Sequence, residues 1–373
     1  MTRALVLAAG GVTGALYEVG VLRGIEERLG PPHRIFDVFV GASAGASVAA
    51  FLSQGVLPSR LYRALLQGDD PVFPLQQRDV VELDMLQAAR IARLGVRLIG
   101  RAFLDFFRRR AAAARGPADL PAGFFSLESY RRFLAGTLAA NDLSDDFRPL
   151  KKRLFIPATD LDSGHRVVFG RPPWDDVPIS SAIAASSAIP VFFEPVPIRD
   201  RQFIDGNVGR AAHLDLAVEL GATQVLVVSP LVPVENVPGQ CLIPPGKGSR
   251  VCTSLRERGI WTILNQSTRI QHHARLHLAI AAVRAEHPEV DVRLVEPSHA
   301  DATMFLANPM SLSARKQILE GAYAQATAAM DRVSDRDLAA WGATSAVARA
   351  VPERAESAIR TPPAASPVAS PSS

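Results

Sequence analysis

The sequence predicts an α/β protein with a mostly parallel central sheet, and three stretches carry that prediction. Ala4–Ala9 is a continuous apolar run, the pattern of a strand buried on both faces, and a glycine-rich turn, Gly10–Gly14, follows it. A second apolar run, Ile35–Val40, leads into Gly41-Ala42-Ser43-Ala44-Gly45 and then into a small-residue helical stretch, Ala44–Leu52. A third buried strand is expected at Thr223–Leu231, after a helical stretch over Arg210–Leu220.

A chain of 373 residues suggests one large α/β domain with additions, or two domains. With 48% apolar and 21% charged residues it has the composition of a soluble globular protein with a sizeable core. Cys241 and Cys252 are too few for a disulfide framework and read as reduced thiols. The apolar run after Met1-Thr2-Arg3 is too short for a signal peptide, and no stretch approaches the ~20 apolar residues that cross a bilayer. The expected location is therefore the cytoplasm. The net charge of +4 is concentrated: Arg90 to Arg115 holds eight arginines and one acid, Asp105, so the rest of the chain is slightly acidic. That placement argues against a general nucleic-acid surface.

In chain order, Ala15–Ile25 reads as a helix with an apolar stripe, and 58–67 as another. Residues 69–80 read as a loop. Val81–Ala114 is a long helical insertion in which Arg90, Arg93, Arg97 and Arg101 recur at helical spacing opposite Ile91, Leu94, Leu98 and Phe103. Such a helix suits a peripheral contact with an anionic membrane or a lid; a cap packed on the core with a solvated arginine face fits the same pattern. Leu127–Leu138 is helical after Ser126 as N-cap. Leu154–Leu161 and Arg166–Phe169 flank Asp162-Ser163-Gly164-His165 and predict a hairpin. Ile179–Ala188 is a Ser/Ala-rich helix able to approach another backbone closely, and Val191–Ile198, with its prolines, reads as irregular. Pro233–Cys252 is a loop, Ser254–Glu286 a long helix, Val290–Val295 a strand and Leu312–Val333 a helix; beyond about Val351 the Pro/Ala/Ser-rich tail reads as disordered.

The chemistry begins at Ser43. A serine at a tight strand-to-helix turn is held in strained backbone geometry, with the free N–H groups of the next helix beside it. Gly41 and Gly45 leave room for close backbone approach there. The Gly10–Gly14 turn lacks the first glycine of a dinucleotide fingerprint, where Ala9 stands, and the Lys of a P-loop. An oxyanion hole needs only its backbone donors and a nearby nucleophile, which adjacent parallel strands would deliver. Asp205, before Gly206-Asn207, is either a turn cap or a general base. His213 and His299 are the histidines placed late enough to serve a Ser-His-Asp triad, but neither has distinctive surroundings. His273 and His277 lie four apart on the long helix, next to His272, and could share a face as metal ligands; the sequence offers no third ligand, so neither a metal site nor a cofactor is expected.

Gly10-Gly11-x-x-Gly14, Gly41-x-Ser43-x-Gly45 and Asp205-Gly206, in that order, resemble the patatin-like phospholipases. The likeness extends to Ala15-Leu16-Tyr17-Glu18-Val19-Gly20-Val21-Leu22, to Ile156–Gly164 and to Ala185-Ser186-Ser187-Ala188-Ile189-Pro190. The resemblance implies a three-layer α/β/α hydrolase fold, a lipid or acyl-ester substrate and a Ser-Asp dyad without histidine. Carried over, Ser43 is the nucleophile, Asp205 the base, and the backbone at Gly10, Gly11 and Val12 the oxyanion hole, supported by Gly14, Gly41, Gly45 and Gly206. The catalytic domain would span 4–230 with the insertion at about 69–125, followed by an α-rich extension over 231–335 and the tail at 351–373. Thr13 stands where the family usually has Arg or Lys, and Asn207 where it usually has Gly or Ala, departures that bear on substrate preference. Acyl transfer with the same dyad, or lipid binding without catalysis, are the rival functions. A base without histidine must be desolvated to match a serine proton, so Asp205 is expected to be buried.

Overall fold

The computed structural model describes residues 1–68, 122–237, 254–307 and 310–341. The arginine-rich stretch 90–115, both cysteines and the C-terminal tail lie outside the described residues.

The chain begins with β1 (Thr2–Leu7), α1 (Gly11–Leu29), the short α2 (Pro32–Ile35), β2 (Val38–Gly41), α3 (Ala44–Ser53) and α4 (Pro58–Gln67). It continues with β3 (Gly123–Phe125), α5 (Glu128–Ala140), β4 (Arg153–Asp160), β5 (Arg166–Phe169), α6 (Ile179–Ser186), β6 (Val191–Phe193), β7 (Val196–Ile198) and β8 (Arg201–Ile204). After these come α7 (Leu214–Glu219), β9 (Ala222–Val228), α8 (Ile260–Glu286), β10 (Asp291–Val295), α9 (Ala302–Leu306), α10 (Arg315–Met330) and α11 (Asp335–Ala340). The central sheet has eight strands in the order β10-β9-β1-β2-β4-β8-β7, with β5 also paired to β4. Neighbours from β10 to β4 pair in parallel, whereas β5, β7 and β8 form the antiparallel margin.

The period-2 alternation of strands sorts the core into two layers. Leu5 and Leu7 of β1, Leu226 and Val228 of β9 and Phe39 of β2 face one side, packed with α1, α3, α4, α6 and α10. Ala4 and Val6, Val225 and Val227, and Val38 and Val40 face the other, under α7 and α8. The three-layer α/β/α arrangement is therefore present.

Helix α1 is held by α10. A Cβ on Gly20 would stand 2.7 Å from the Leu319 carbonyl oxygen, and one on Gly24 would stand 2.8 Å from Ala326 Cβ. That close approach seats the C-terminal helix against the first helix, while β10 extends the sheet beyond β9.

Some elements differ from the sequence reading. Val191–Ile198 forms the short strands β6 and β7: Pro197 lies in β7, which among the described residues pairs only with β8, so its missing N–H is tolerated at an edge. Helix α7 starts at Leu214 because Ala212 and His213 take positive φ, 55° and 52°. The long helix begins at Ile260, since Gly259 at φ 82° separates it from a 3-10 turn at Leu255–Arg258.

Candidate active site

Strands β1 and β2 run in parallel with Leu7 opposite Gly41, so the turns that follow them open at the same sheet edge. Helix α3 starts at once, and its first turn presses against β1: a Cβ on Gly45 would lie 2.5 Å from the Leu7 carbonyl oxygen. Gly41 is confined by Gly45 and Ala46 in the same way. Between them Ser43 sits at φ 54°, ψ −126°, a conformation L-residues rarely adopt and one that stores on the order of 1–3 kcal/mol. Ser43 is 2% exposed. Its N–H donates to Ser186 Oγ at 2.9 Å, and the Ser186 hydroxyl donates to the Pro157 carbonyl at 2.7 Å.

Strand β8, antiparallel to β4, reaches the carboxyl end of β4 with Ile204 opposite Thr159. Asp205 follows and is buried. Its N–H donates to the Ala188 carbonyl at 2.9 Å, and its Oδ1 accepts the Asn207 N–H at 2.8 Å. Oδ2 is buried and, among the described residues, has no hydrogen-bond partner of good geometry. Burial pushes the carboxyl up to about 6, against smaller opposing effects of the Ser43 hydroxyl and the Asn207 N–H beside it. The two sequence readings of Asp205 are thus compatible: one oxygen caps the turn and the other is left over. Gly206 passes so close to the Pro157 carbonyl and Ser186 Oγ that a Cβ would not fit. Ser186 therefore touches both the Ser43 turn and the Asp205 turn.

The third piece is the turn into α1. Gly10 caps the helix and Gly11, at φ 61°, starts it. A Cβ on Gly14 would meet Pro230 Cγ at 3.0 Å, and Gly10 is packed against the same ring. The first-turn N–H groups have no acceptor within the helix. Gly11 and Val12 line a cavity of about 80 Å³ together with Ser43, Ala44, Leu16, Leu65, Tyr130, Ile189, Phe193 and Met310. Thr13 is buried, with its hydroxyl donating back to the Gly10 carbonyl at 3.3 Å. No side-chain cation is supplied from that position. Ser43 and the first-turn N–H groups of α1 thus face an apolar cavity, with the buried Asp205 carboxyl beside Ser43, an arrangement suited to acyl transfer chemistry.

Among the described residues, no histidine hydrogen-bonds to Ser43 or to the Asp205 carboxyl. His213 is buried and its Nε2 lies 3.0 Å from the Gly206 carbonyl; burial lowers its pKa to about 4. His299 bonds the Pro233 carbonyl through Nδ1 at 2.9 Å. His272 bridges Asn207 Oδ1 at 2.9 Å and Ser229 Oγ at 3.0 Å, and burial lowers it to about 3, so it is a neutral strut beneath the Asp205 turn. Sequence reasoning missed Ser186, Pro230 and His272. Only Ser186 had a signal, the Ser/Ala composition of its helix.

A family model described as patatin-like phospholipase matches residues 5–218. A probable lipid hydrolase, 463L, of Invertebrate iridescent virus 6 is 22% identical over 223 residues, which cover 58% of this chain and 63% of the viral protein. The chain thus matches less than two thirds of that relative's length. Two solved structures are also similar. VipD from Legionella pneumophila is 14% identical with a TM-score of 0.38, covering 88% of this chain and 67% of VipD. The type III effector protein ExoU is 17% identical with a TM-score of 0.32, covering 91% of this chain and 58% of ExoU.

Proposed function

The chain belongs to the patatin-like phospholipase family, and on that premise we propose that it hydrolyses acyl esters of lipids through a Ser43–Asp205 dyad. Ser43 Oγ attacks the ester carbonyl while Asp205 Oδ2 takes its proton. The N–H groups at Gly10, Gly11 and Val12 hold the oxyanion, each such donor being worth ~10²–10³ in turnover. The alkoxide leaves with the proton from Asp205. Water, deprotonated by the same carboxylate, then attacks the acyl carbonyl, and Asp205 returns the proton to Ser43 Oγ as the fatty acid is released.

The observation that carries this reading is the spare Oδ2 of Asp205: buried, without a hydrogen bond of good geometry among the described residues, beside the hydroxyl of a strained serine, and on a carboxyl raised to about 6. An ordinary carboxylate is too weak a base for a serine hydroxyl, and desolvation narrows that gap. The apolar cavity wall suits an acyl chain. Membrane approach we assign to the arginine-rich stretch Arg90–Arg115, on charge alone.

A fluorophosphonate probe should label the purified protein on Ser43, with no label on Ser43→Ala and strongly reduced label on Asp205→Asn. Absence of label from folded protein would refute the activated serine and favour lipid binding without catalysis. Acyl transfer is distinguished by adding a lysolipid or alcohol acceptor and analysing the products.

The base must be ionised to act, which sets the pH dependence. As Asp205 protonates below about 6, kcat/KM for a soluble ester should fall about tenfold per pH unit, and above that it should be flat. Asp205→Asn should be slow and lack this limb. A limb centred near the ordinary carboxylate pKa instead would mean that Asp205 is solvated in the working enzyme.

A further inference from the structure

On α8, His273 and His277 stand one turn apart, and the structure brings to them a group the sequence did not reveal. Glu296, the first residue after β10, places Oε2 3.5 Å from His273 Nε2 and Oε1 3.3 Å from His277 Nε2. One donor atom from each of the three residues lies within 4.8 Å of the others. The two imidazoles are 4.2 Å apart between ring centroids. His273 Nε2 and Glu296 Oε2 are buried atoms without a hydrogen-bond partner.

A simple ion pair accounts poorly for this geometry. Two imidazolium rings this close would repel. A hydrogen bond between His277 Nε2 and Glu296 Oε1 at 3.3 Å serves one ring, yet three donor atoms still converge on one small volume, where a cation would satisfy them together. A tetrahedral ion with bonds of ~2.0–2.1 Å holds its ligands about 3.3–3.4 Å apart, so donor atoms already within 4.8 Å of one another need only a small side-chain adjustment to close on it. His299 stands with its ring centroid 5.1 Å from that of His273. Its Nδ1 is fixed on the Pro233 carbonyl, so Nε2 is its remaining nitrogen.

We propose that His273, His277 and Glu296 bind one divalent transition-metal ion, for which Zn²⁺ is the best match, and that the ion clasps α8 to the end of β10. Two imidazoles and one carboxylate favour a borderline ion over Mg²⁺ or Ca²⁺. The site is structural rather than hydrolytic, because Ala274, Arg275 and Leu276 between the histidines provide no general base. It is separate from Ser43, yet His272, the residue before His273, supports Asn207, whose N–H holds Asp205 Oδ1. The ion would thereby stiffen the helical turn under the Asp205 loop. The inference does not depend on the proposed hydrolysis.

The test is direct binding of Zn²⁺ to the full chain after chelator treatment, by equilibrium dialysis and calorimetry, with Co²⁺ as spectroscopic probe. The expected result is one ion per chain and the visible absorption of a four-coordinate Co²⁺ centre. At a free Zn²⁺ concentration about 100-fold above Kd, the unfolding temperature should rise by roughly 5 °C. His277→Ala is a safe variant because His277 is 47% exposed. It and Glu296→Gln should each weaken binding ~100-fold or more. His287→Ala, an exposed histidine elsewhere, should not change it. No binding to the full chain, or undiminished binding in either ligand variant, overturns the proposal.

Discussion

Replacing Ser43 by Ala should reduce ester turnover to background, a fall of about 10⁴-fold or more, while leaving the unfolding temperature nearly unchanged. Stability is spared because the hydroxyl carries little of the structure. Ser43 occupies the N-cap position of α3, yet its side chain makes no capping hydrogen bond. The bond that anchors the turn runs from its backbone N–H to Ser186 Oγ, and alanine keeps it. The strain at φ 54° belongs to any residue with a Cβ, so serine and alanine bear it equally. Glycine does not. Ser43→Gly should be as inactive as Ser43→Ala but more stable, by on the order of 1 kcal/mol after the greater chain entropy of glycine is deducted. Paired activity and denaturation curves for the two variants separate a serine kept for chemistry from one kept for the turn. If Ser43→Ala retains turnover, the proposed nucleophile is wrong; if Ser43→Gly is less stable than Ser43→Ala, the turn is not strained.

What the sequence disclosed and what it hid divide along a physical line. The Gly10, Gly14, Gly41 and Gly45 positions were legible because close backbone packing excludes every side chain, and exclusion leaves a fixed residue type. The β4–β5 hairpin was legible from its turn and apolar flanks, and pairs Ile156 with Phe169 and Thr159 with Arg166. Asp205 and its burial were expected from the resemblance and the need for a desolvated base, but the oxygen left over once Asn207 N–H takes the other depends on packing against elements far away in sequence. Pro230, which packs on Gly10 and Gly14, and Glu296, which completes the donor cluster with His273 and His277, lie more than 200 and about 20 residues from the groups they serve. Contacts of that kind leave no periodicity to read. The strands β6 and β7 were hidden differently, since Pro195 between them and Pro197 within β7 argue against pairing unless the strand lies at a margin.

Glu18 supplies the second large effect, on stability rather than turnover. It lies inside α1, wholly buried, with neither carboxyl oxygen hydrogen-bonded, and burial raises its pKa well above the ordinary value. A raised folded pKa means that the native state binds the proton more tightly than the unfolded chain. The stability this lends is fully present below the unfolded value near 4.5 and is lost as pH rises through the folded pKa. Glu18→Gln stays neutral and resembles the protonated acid. The two proteins should therefore be equally stable near pH 4 and diverge in favour of glutamine by about 1.4 kcal/mol per pH unit until Glu18 ionises. Asp205 has the same sign but finishes near 6. His213 and His272, lowered by burial to about 4 and about 3, add stability only up to their unfolded value near 6.5. The part of the slope that vanishes in Glu18→Gln thus belongs to Glu18, and parallel curves for the two proteins would show that its carboxyl is solvated or paired. Glu18→Met, which removes the unsatisfied polar atoms as well, should be more stable than Glu18→Gln at every pH by about 1–3 kcal/mol. Turnover at neutral pH should survive both changes. Seven residues separate Glu18 from Gly11 along the same helix, about 10 Å at 1.5 Å per residue. A carboxylate there would oppose an oxyanion at the Gly11 and Val12 N–H groups, whereas a protonated or neutral side chain leaves their field intact.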